Sequence, residues 1–232
     1  MDAEVRRGER SGRRDDRGMV DTHGDGRWEC ENRDVDEFRA PDIATADSRA
    51  VVLVEGISDQ IAVETLAARI GRNLDREGVA VVPIGGAQAI GRFLTQFGPQ
   101  GAKMRLAGLY DVGEESVVRR GLQRAGLGSG FPLTRADMEG LGFYVCVVDL
   151  EDELIRALGA ASVEAIIDAQ GELDSFRTFQ KQPAWQGQRI EAQLRRFMGS
   201  GGSRKIRYAC LLVDALDPAL VPRPLRLVLA RV

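Results

Sequence analysis

The stretch VVLVEGISD, Val51–Asp59, constrains the fold more than any other part of this chain. Four apolar residues with β preference run into an acid and a glycine, and a second acid follows. A short apolar run closed by a glycine turn reads as a buried parallel strand. Glu55 then stands at the strand's carboxyl end, where open α/β sheets place their ligand sites. Ser58 is placed to cap the next helix, and Asp59 falls in its first turn, where the helix dipole favours an acid. The two acids are four apart across a strand-to-helix turn, so both carboxylates can face one crevice. Taken alone, the stretch also fits an ordinary solvated β–α loop.

The same rhythm continues downstream. A helix is predicted over about 58–76, with Ile61, Val63, Leu66, Ala67 and Ile70 on its apolar face. A strand follows over Val79 to Val82, closed by Gly85 and Gly86; that pair reads as a turn, with an amide nest for phosphate as the alternative. Next come a helix over about 89–97, a strand over Met104 to Tyr110 ending in Asp111, and a helix over Glu114 to Ala125. After a glycine-rich loop, LGFYVCVVD predicts a fourth strand ending at Asp149. Strands alternating with helices argue for an α/β fold built on a doubly wound parallel sheet. Right-handed crossovers would bring the strand ends to one edge. From DLEDELIRAL onward the chain reads as helices separated by turns, a helical appendage on the sheet's edge. The stripe of Phe176, Phe179 and Phe197 reads as core. Trp185 reads as a loop anchor, with stacking on a base as the alternative.

Residues 1–48 mix Arg with Asp and Glu, carry many glycines and lack apolar periodicity, which predicts a disordered charged tail. The net charge of −3 over 232 residues provides no global basic field, so any nucleic-acid contact must use a local patch. His23, the single histidine, lies in that tail, which argues against a histidine-based triad or metal centre. Cys30, Cys146 and Cys210 are far apart and include no CxxC pair. They suggest neither a disulfide framework nor a zinc site. No apolar run approaches the roughly 18–20 residues that span a bilayer, and no signal-peptide core is present, so a cytoplasmic location is expected.

Acids therefore carry the chemistry. Glu55 with Asp59, Asp111 with Glu114 and Glu115, and Asp149 with Glu151–Glu153 end or follow strands. Parallel strands would gather them on one edge. Carboxylates gathered without histidine or cysteine favour a hard divalent ion, Mg²⁺ or Mn²⁺. Such ions typically assist phosphoryl transfer.

VEGISD, LYD, DLED and GSRKIRYA, in that order, resemble the topoisomerase–primase (TOPRIM) domain, and more closely the kind found in overcoming-lysogenization-defect (OLD) family nucleases. The resemblance spans about Ala50 to Leu216. It implies a TOPRIM-like Rossmannoid parallel sheet flanked by helices over 49–150. The C-terminal helical region, 151–232, would complete the site. It further implies metal ligation by Glu55, Asp59, Asp111 and Glu151, with Glu55 central to catalysis and Lys205 steadying charge on the scissile phosphate. The implied activity is divalent-metal-dependent cleavage of DNA. A TOPRIM module that binds nucleic acid or a partner without cutting is the alternative. Where the family has an Asp-x-Asp pair, this chain has Asp111 and Gly113, with Glu114 or Glu115 as substitutes. OLD-family nucleases usually carry an ABC-type ATPase ahead of this domain. No GxxxxGK[ST] motif occurs here, so a stand-alone unit, served by a separate ATPase, is expected.

Several of these residues also have plainer readings. Asp59 suits a helix start, Asp111 an N-cap, and Glu151 the first turn of an acidic helix in which Asp149 or Asp152 can replace it as ligand. Lys205, with Arg204 and Arg207, reads either as a solvated basic face or as a grip for the DNA backbone.

Overall fold

The computed structural model describes residues 48–128 and 132–232. The charged tail expected over 1–48, with His23 and Cys30, lies outside the described residues except for Ser48. Four parallel strands, β1 (Ala50–Val54), β2 (Val79–Pro83), β3 (Arg105–Asp111) and β4 (Phe143–Cys146), form one sheet in the order β2-β1-β3-β4. The α/β parallel architecture expected from the alternation is therefore present.

Alternation along each strand builds two layers of core. Val52, Val54, Val81, Ala107, Leu109 and Tyr144 face one cluster, which they share with α1 (Ile57–Arg69) and the C-terminal helices. Val51, Leu53, Val82, Leu106, Tyr110 and Phe143 face the other, under α2 (Ile90–Phe97), α3 (Glu115–Arg124) and α4 (Arg135–Gly140).

Two boundaries differ from expectation. The first helix stops at Arg69 rather than about 76. Gly71 takes φ 78°, its N–H bonds Ala68 O, and the Arg72 N–H bonds Ala67 O, the Schellman arrangement that closes a helix. The fourth strand stops at Cys146, not Asp149. Val147 and Val148 are exposed despite their β preference, and Val148 takes φ 76°, a conformation costly for a β-branched residue. Asp149 instead opens α5 (Leu150–Leu158), accepting the Asp152 N–H at 2.9 Å.

The remaining helices are α6 (Ala160–Ala169), α7 (Leu173–Gln180), α8 (Ile190–Met198), α9 (Gly202–Ala215) and α10 (Arg223–Arg231). They lie on a face of the sheet rather than on its edge. Leu212, Val213, Leu225, Val228 and Leu229 belong to the same cluster as Val52 and Ala107. α9 packs along α1, with Ile61 against Ala209 and Cys210. Arg69 ties the two helices further, donating to the carbonyl oxygens of Val213 and Leu216. That packing carries Lys205 to the carboxyl edge of the sheet. The phenylalanine stripe is core: the Phe176 and Phe197 rings lie 5.1 Å apart, and both are buried. Among the described residues no helix is long and apolar enough to cross a membrane.

Candidate metal centre

Glu55 follows β1, and its backbone is pinned by the loop after β2. Gly85 and Gly86 both donate N–H bonds to the Glu55 carbonyl, at 3.1 and 3.2 Å, from positive φ of 73° and 105°. Those amides are committed to Glu55, so they form a turn and no phosphate nest. Gly56 is the N-cap of α1, which leaves Ser58 inside the helix and buried, and overturns its expected capping role. Asp59 accepts the Gly56 N–H at 2.9 Å and so does serve as a helix-start acid. Asp111 precedes a single 3₁₀ turn (Val112–Glu114) but makes no side-chain capping bond, which removes its plainer reading. Glu151, in the first turn of α5, is buried and pairs with Lys205 Nζ at 3.1 Å. Asp149 pairs with Arg195 of α8, and Asp152 pairs with Arg156 at 2.7 Å.

Electrostatics tie these residues into one site. Burial, then the charges of Glu55, Asp149, Asp59 and Glu151, pushes the Asp111 carboxyl up to about 7. Burial and Glu151 push Asp59 up to about 7 as well, against the pull of Lys205 and the Gly56 amide. Glu55 is raised by burial and then by Glu114, with Lys205 acting against them. Burial works to lower the Lys205 ammonium, but Glu151 and Asp59 outweigh it and hold it above its ordinary value. Acids from the ends of β1 and β3 and from the starts of α1 and α5 thus share one field. Glu55, Asp59, Asp111, Glu151 and Lys205 feel one another's charge, and Glu151 and Lys205 are in direct contact.

Among the described residues no three His, Cys, Asp or Glu side chains are grouped so as to hold a metal ion. Asp59 is bound to the Gly56 amide, Glu151 to Lys205 and Asp149 to Arg195. The donor set itself is all oxygen. Cys146, the neighbour of Asp111 on β4, is a buried free thiol whose ionisation is strongly suppressed by burial and then by Asp111. By donor chemistry, carboxylates of this kind suit a hard divalent cation better than a thiophilic one.

Residues 48–111 match the overcoming lysogenization defect protein-like TOPRIM domain. That segment is similar to an OLD-like TOPRIM domain. The fold agrees beyond that segment. The C-terminal region of the Xanthomonas campestris pv. campestris OLD protein superposes with a TM-score of 0.59 at 23% identity, over 81% of this chain and 95% of that one. The C-terminal region of the Burkholderia pseudomallei OLD protein gives 0.61 at 19% identity, over 79% and 96%. No curated protein sequence matches the chain.

Two expectations around the acidic edge are refined. Of the acids that follow Gly113, Glu114 raises Glu55 through its charge, whereas Glu115 is taken up by Arg119 and Arg135. Arg204 and Arg207 are neither a solvated face nor a free grip, because both bind Glu172, at 3.1 and 2.9 Å. Cys210 is disulfide-bonded, which the cysteine spacing did not suggest. The sequence reading also passed over Arg195 and Arg196. Together with Trp185, Asp149, Glu151 and Lys205 they line a cavity of about 280 Å³ beside the acids. The basic residues at 195 and 196 were visible in the sequence, but nothing local placed them there.

Proposed function

We propose that this chain is a divalent-metal-dependent DNA endonuclease or nickase that hydrolyses phosphodiester bonds at the carboxyl edge of the sheet. The supporting observation is the uncompensated charge at that edge. Asp59 and Asp111 are each pushed up to about 7, chiefly by burial and then by neighbouring acids, and Glu55 is raised with them. Glu55, Asp59, Asp111 and Glu151 would hold Mg²⁺ or Mn²⁺, and Glu114 offers a further carboxylate near Gly113. When bound, such an ion supplies water activation and polarises a phosphoryl oxygen. Lys205, now held at 3.1 Å by Glu151, would turn to the phosphate and stabilise its developing charge. Asp59 would give up its bond to the Gly56 amide on the same occasion.

A second reading, a module that binds nucleic acid or a separate ABC-type ATPase without cutting, draws on Gly113. A Cβ at that position meets nothing within 4 Å, so sterics around the backbone do not require glycine there. Supercoiled plasmid incubated with the protein and Mg²⁺ or Mn²⁺ separates the readings. The nuclease reading expects nicking that falls at least about 100-fold in Glu55→Ala, the scale of losing one transition-state stabilising group. Nicking that survives the substitution removes Glu55 from the mechanism. Absent nicking together with no heat of Mn²⁺ binding favours the second reading, and activity gained in Gly113→Asp identifies a crippled site.

A further inference from the structure

The cavity beside the acids has a composition that the metal chemistry does not require. Asp149 and Glu151 from the start of α5, Ala192, Arg195, Arg196 and Gly199 from α8 and its cap, Trp185, and Lys205 from α9 line it. Trp185 is partly buried. Its ring leans on Phe179 with centroids 5.2 Å apart, and its carbonyl accepts the Gln193 side-chain amide at 2.7 Å. Gln193 is itself buried and bonded to Gln180 at 2.7 Å, so the loop carrying the indole is held from inside the helical layer.

Charge within the cavity is unevenly balanced. Asp149 is paired with Arg195 and Glu151 with Lys205, whereas Arg196 is exposed and forms no ion pair among the described residues. An aromatic plane, an uncommitted guanidinium and a lysine shared with the acidic site therefore line one small space. Its volume, about 280 Å³, falls just below the range of ligand pockets, which begins at about 300 Å³. A base inside a duplex has both faces covered by its neighbours, so it cannot stack on an indole without leaving the helix. An unpaired nucleotide offers a free face for Trp185 and a phosphate for Arg196.

We propose that this cavity holds one unpaired nucleotide of the DNA, its base against Trp185 and its phosphate on Arg196, next to the acids. The inference rests on the nuclease reading for its substrate and narrows it to single-stranded, flapped or frayed DNA. Lys205 and Glu151 belong to both the cavity and the acidic edge, so a nucleotide seated here delivers its neighbouring phosphodiester to that edge.

The test measures binding without turnover. In the full-length Glu55→Ala protein, anisotropy is read with a labelled oligothymidine and with a labelled hairpin duplex of equal length. Oligothymidine is expected to bind more tightly than the duplex. Trp185→Leu keeps an apolar group against Phe179 and removes the π-face. It should weaken oligothymidine binding about 10-fold, within the range for one stacked base, and change duplex binding less than about 2-fold. Arg196→Ala, at an exposed position with no ion pair among the described residues, should weaken oligothymidine binding about 3-fold and reduce the slope of log K against log[salt] by about 0.7. If Trp185→Leu misfolds by circular dichroism, Arg196→Ala decides alone. Unchanged oligothymidine binding in the folded variants overturns the proposal, and so does equal loss on both DNAs. Plasmid nicking by the unsubstituted protein is scored separately, so a failed nuclease reading and a failed cavity assignment give different patterns.

Discussion

Two groups of carboxylates flank α9, and the fold treats them in opposite ways. Glu172, between α6 and α7, receives the Tyr208 hydroxyl at 2.7 Å and the guanidiniums of Arg204 and Arg207. Burial works to raise its carboxyl, but these three donors win and hold it below the ordinary value. Glu55, Asp59 and Asp111 are raised, by burial first and then by each other and their acidic neighbours, with Lys205 the cation that opposes this at Glu55 and Asp59. One helix serves both groups, turning Arg204, Arg207 and Tyr208 to Glu172 and Lys205 to Glu151. The first carboxylate is completed by its own chain. The others are charges that the fold leaves short of partners, the condition expected where an external cation is to be received.

The largest effect should come from breaking the completed group. Glu172→Ala leaves two guanidiniums and a phenol facing one another, with the carboxylate's side chain originally 19% exposed. Losing one partner of a mostly buried pair costs about 3–5 kcal/mol when burial is complete, and solvent access here reduces that to about 2 kcal/mol. At this chain length the melting temperature should fall by about 4–8 °C. A melt unchanged within a degree would show that Glu172 is as dispensable as a surface ion pair. The fall should be independent of Mn²⁺, because Glu172 is not among the acids at the edge.

Asp111→Asn should act in the opposite sense and more weakly. Removing one charge from the repelling set should raise the metal-free melting temperature by a few degrees, while the increase on adding millimolar Mn²⁺ should shrink or vanish. Differential scanning fluorimetry with and without the metal measures both. A drop in the metal-free melt would mean that the Asp111 carboxylate is stabilised by its neighbours, and would erase its contrast with Glu172.

Much of this contrast was legible before any coordinates, and the reason is locality. The β1–Glu55–α1 unit is specified within nine residues, and the strand pattern followed from runs of apolar β-formers. Locality also explains the failures. Val147 and Val148 have strand preference but sit past the point where β4 loses its neighbour, so propensity overran the true end at Cys146. The short α4 and the terminal α10 went unread, although Thr134 and Asp137 form a capping box that was there to find. α10 carries Pro224 near its start and Leu225, Val228 and Leu229 at helical spacing, a pattern as readable as the capping box. Lys205 entered through family resemblance, and spacing alone would have grouped it with Arg204 and Arg207. Helical rotation separates them, since consecutive residues on a helix point in different directions. The Trp185 cavity depends on α8 settling beside α5 and α9, and no window of sequence encodes that contact.

The smallest effect, and the one that refines the contrast most, is proton traffic. For Asp59 and Asp111 the folded value of about 7 lies above the ordinary 3.8, so the folded state binds these protons more tightly. Their contribution therefore favours folding below about pH 4 and is lost as pH rises through about 7. Glu172 runs the other way: its folded value is lowered, so its contribution is present above the ordinary 4.5 and disappears as pH falls through the lowered value. The metal-free melt should accordingly decline between pH 5 and 7, and Asp111→Asn should flatten that decline. A cation bound by the edge acids must displace their protons. With two groups near 7, titration with Mn²⁺ at pH 6 should release between about one and two protons per chain, and close to none at pH 8.5. Calorimetry in two buffers of different ionisation heat counts them. A release that is the same at both pH values would mean that the ion is bound by carboxylates of ordinary acidity, elsewhere than at this edge.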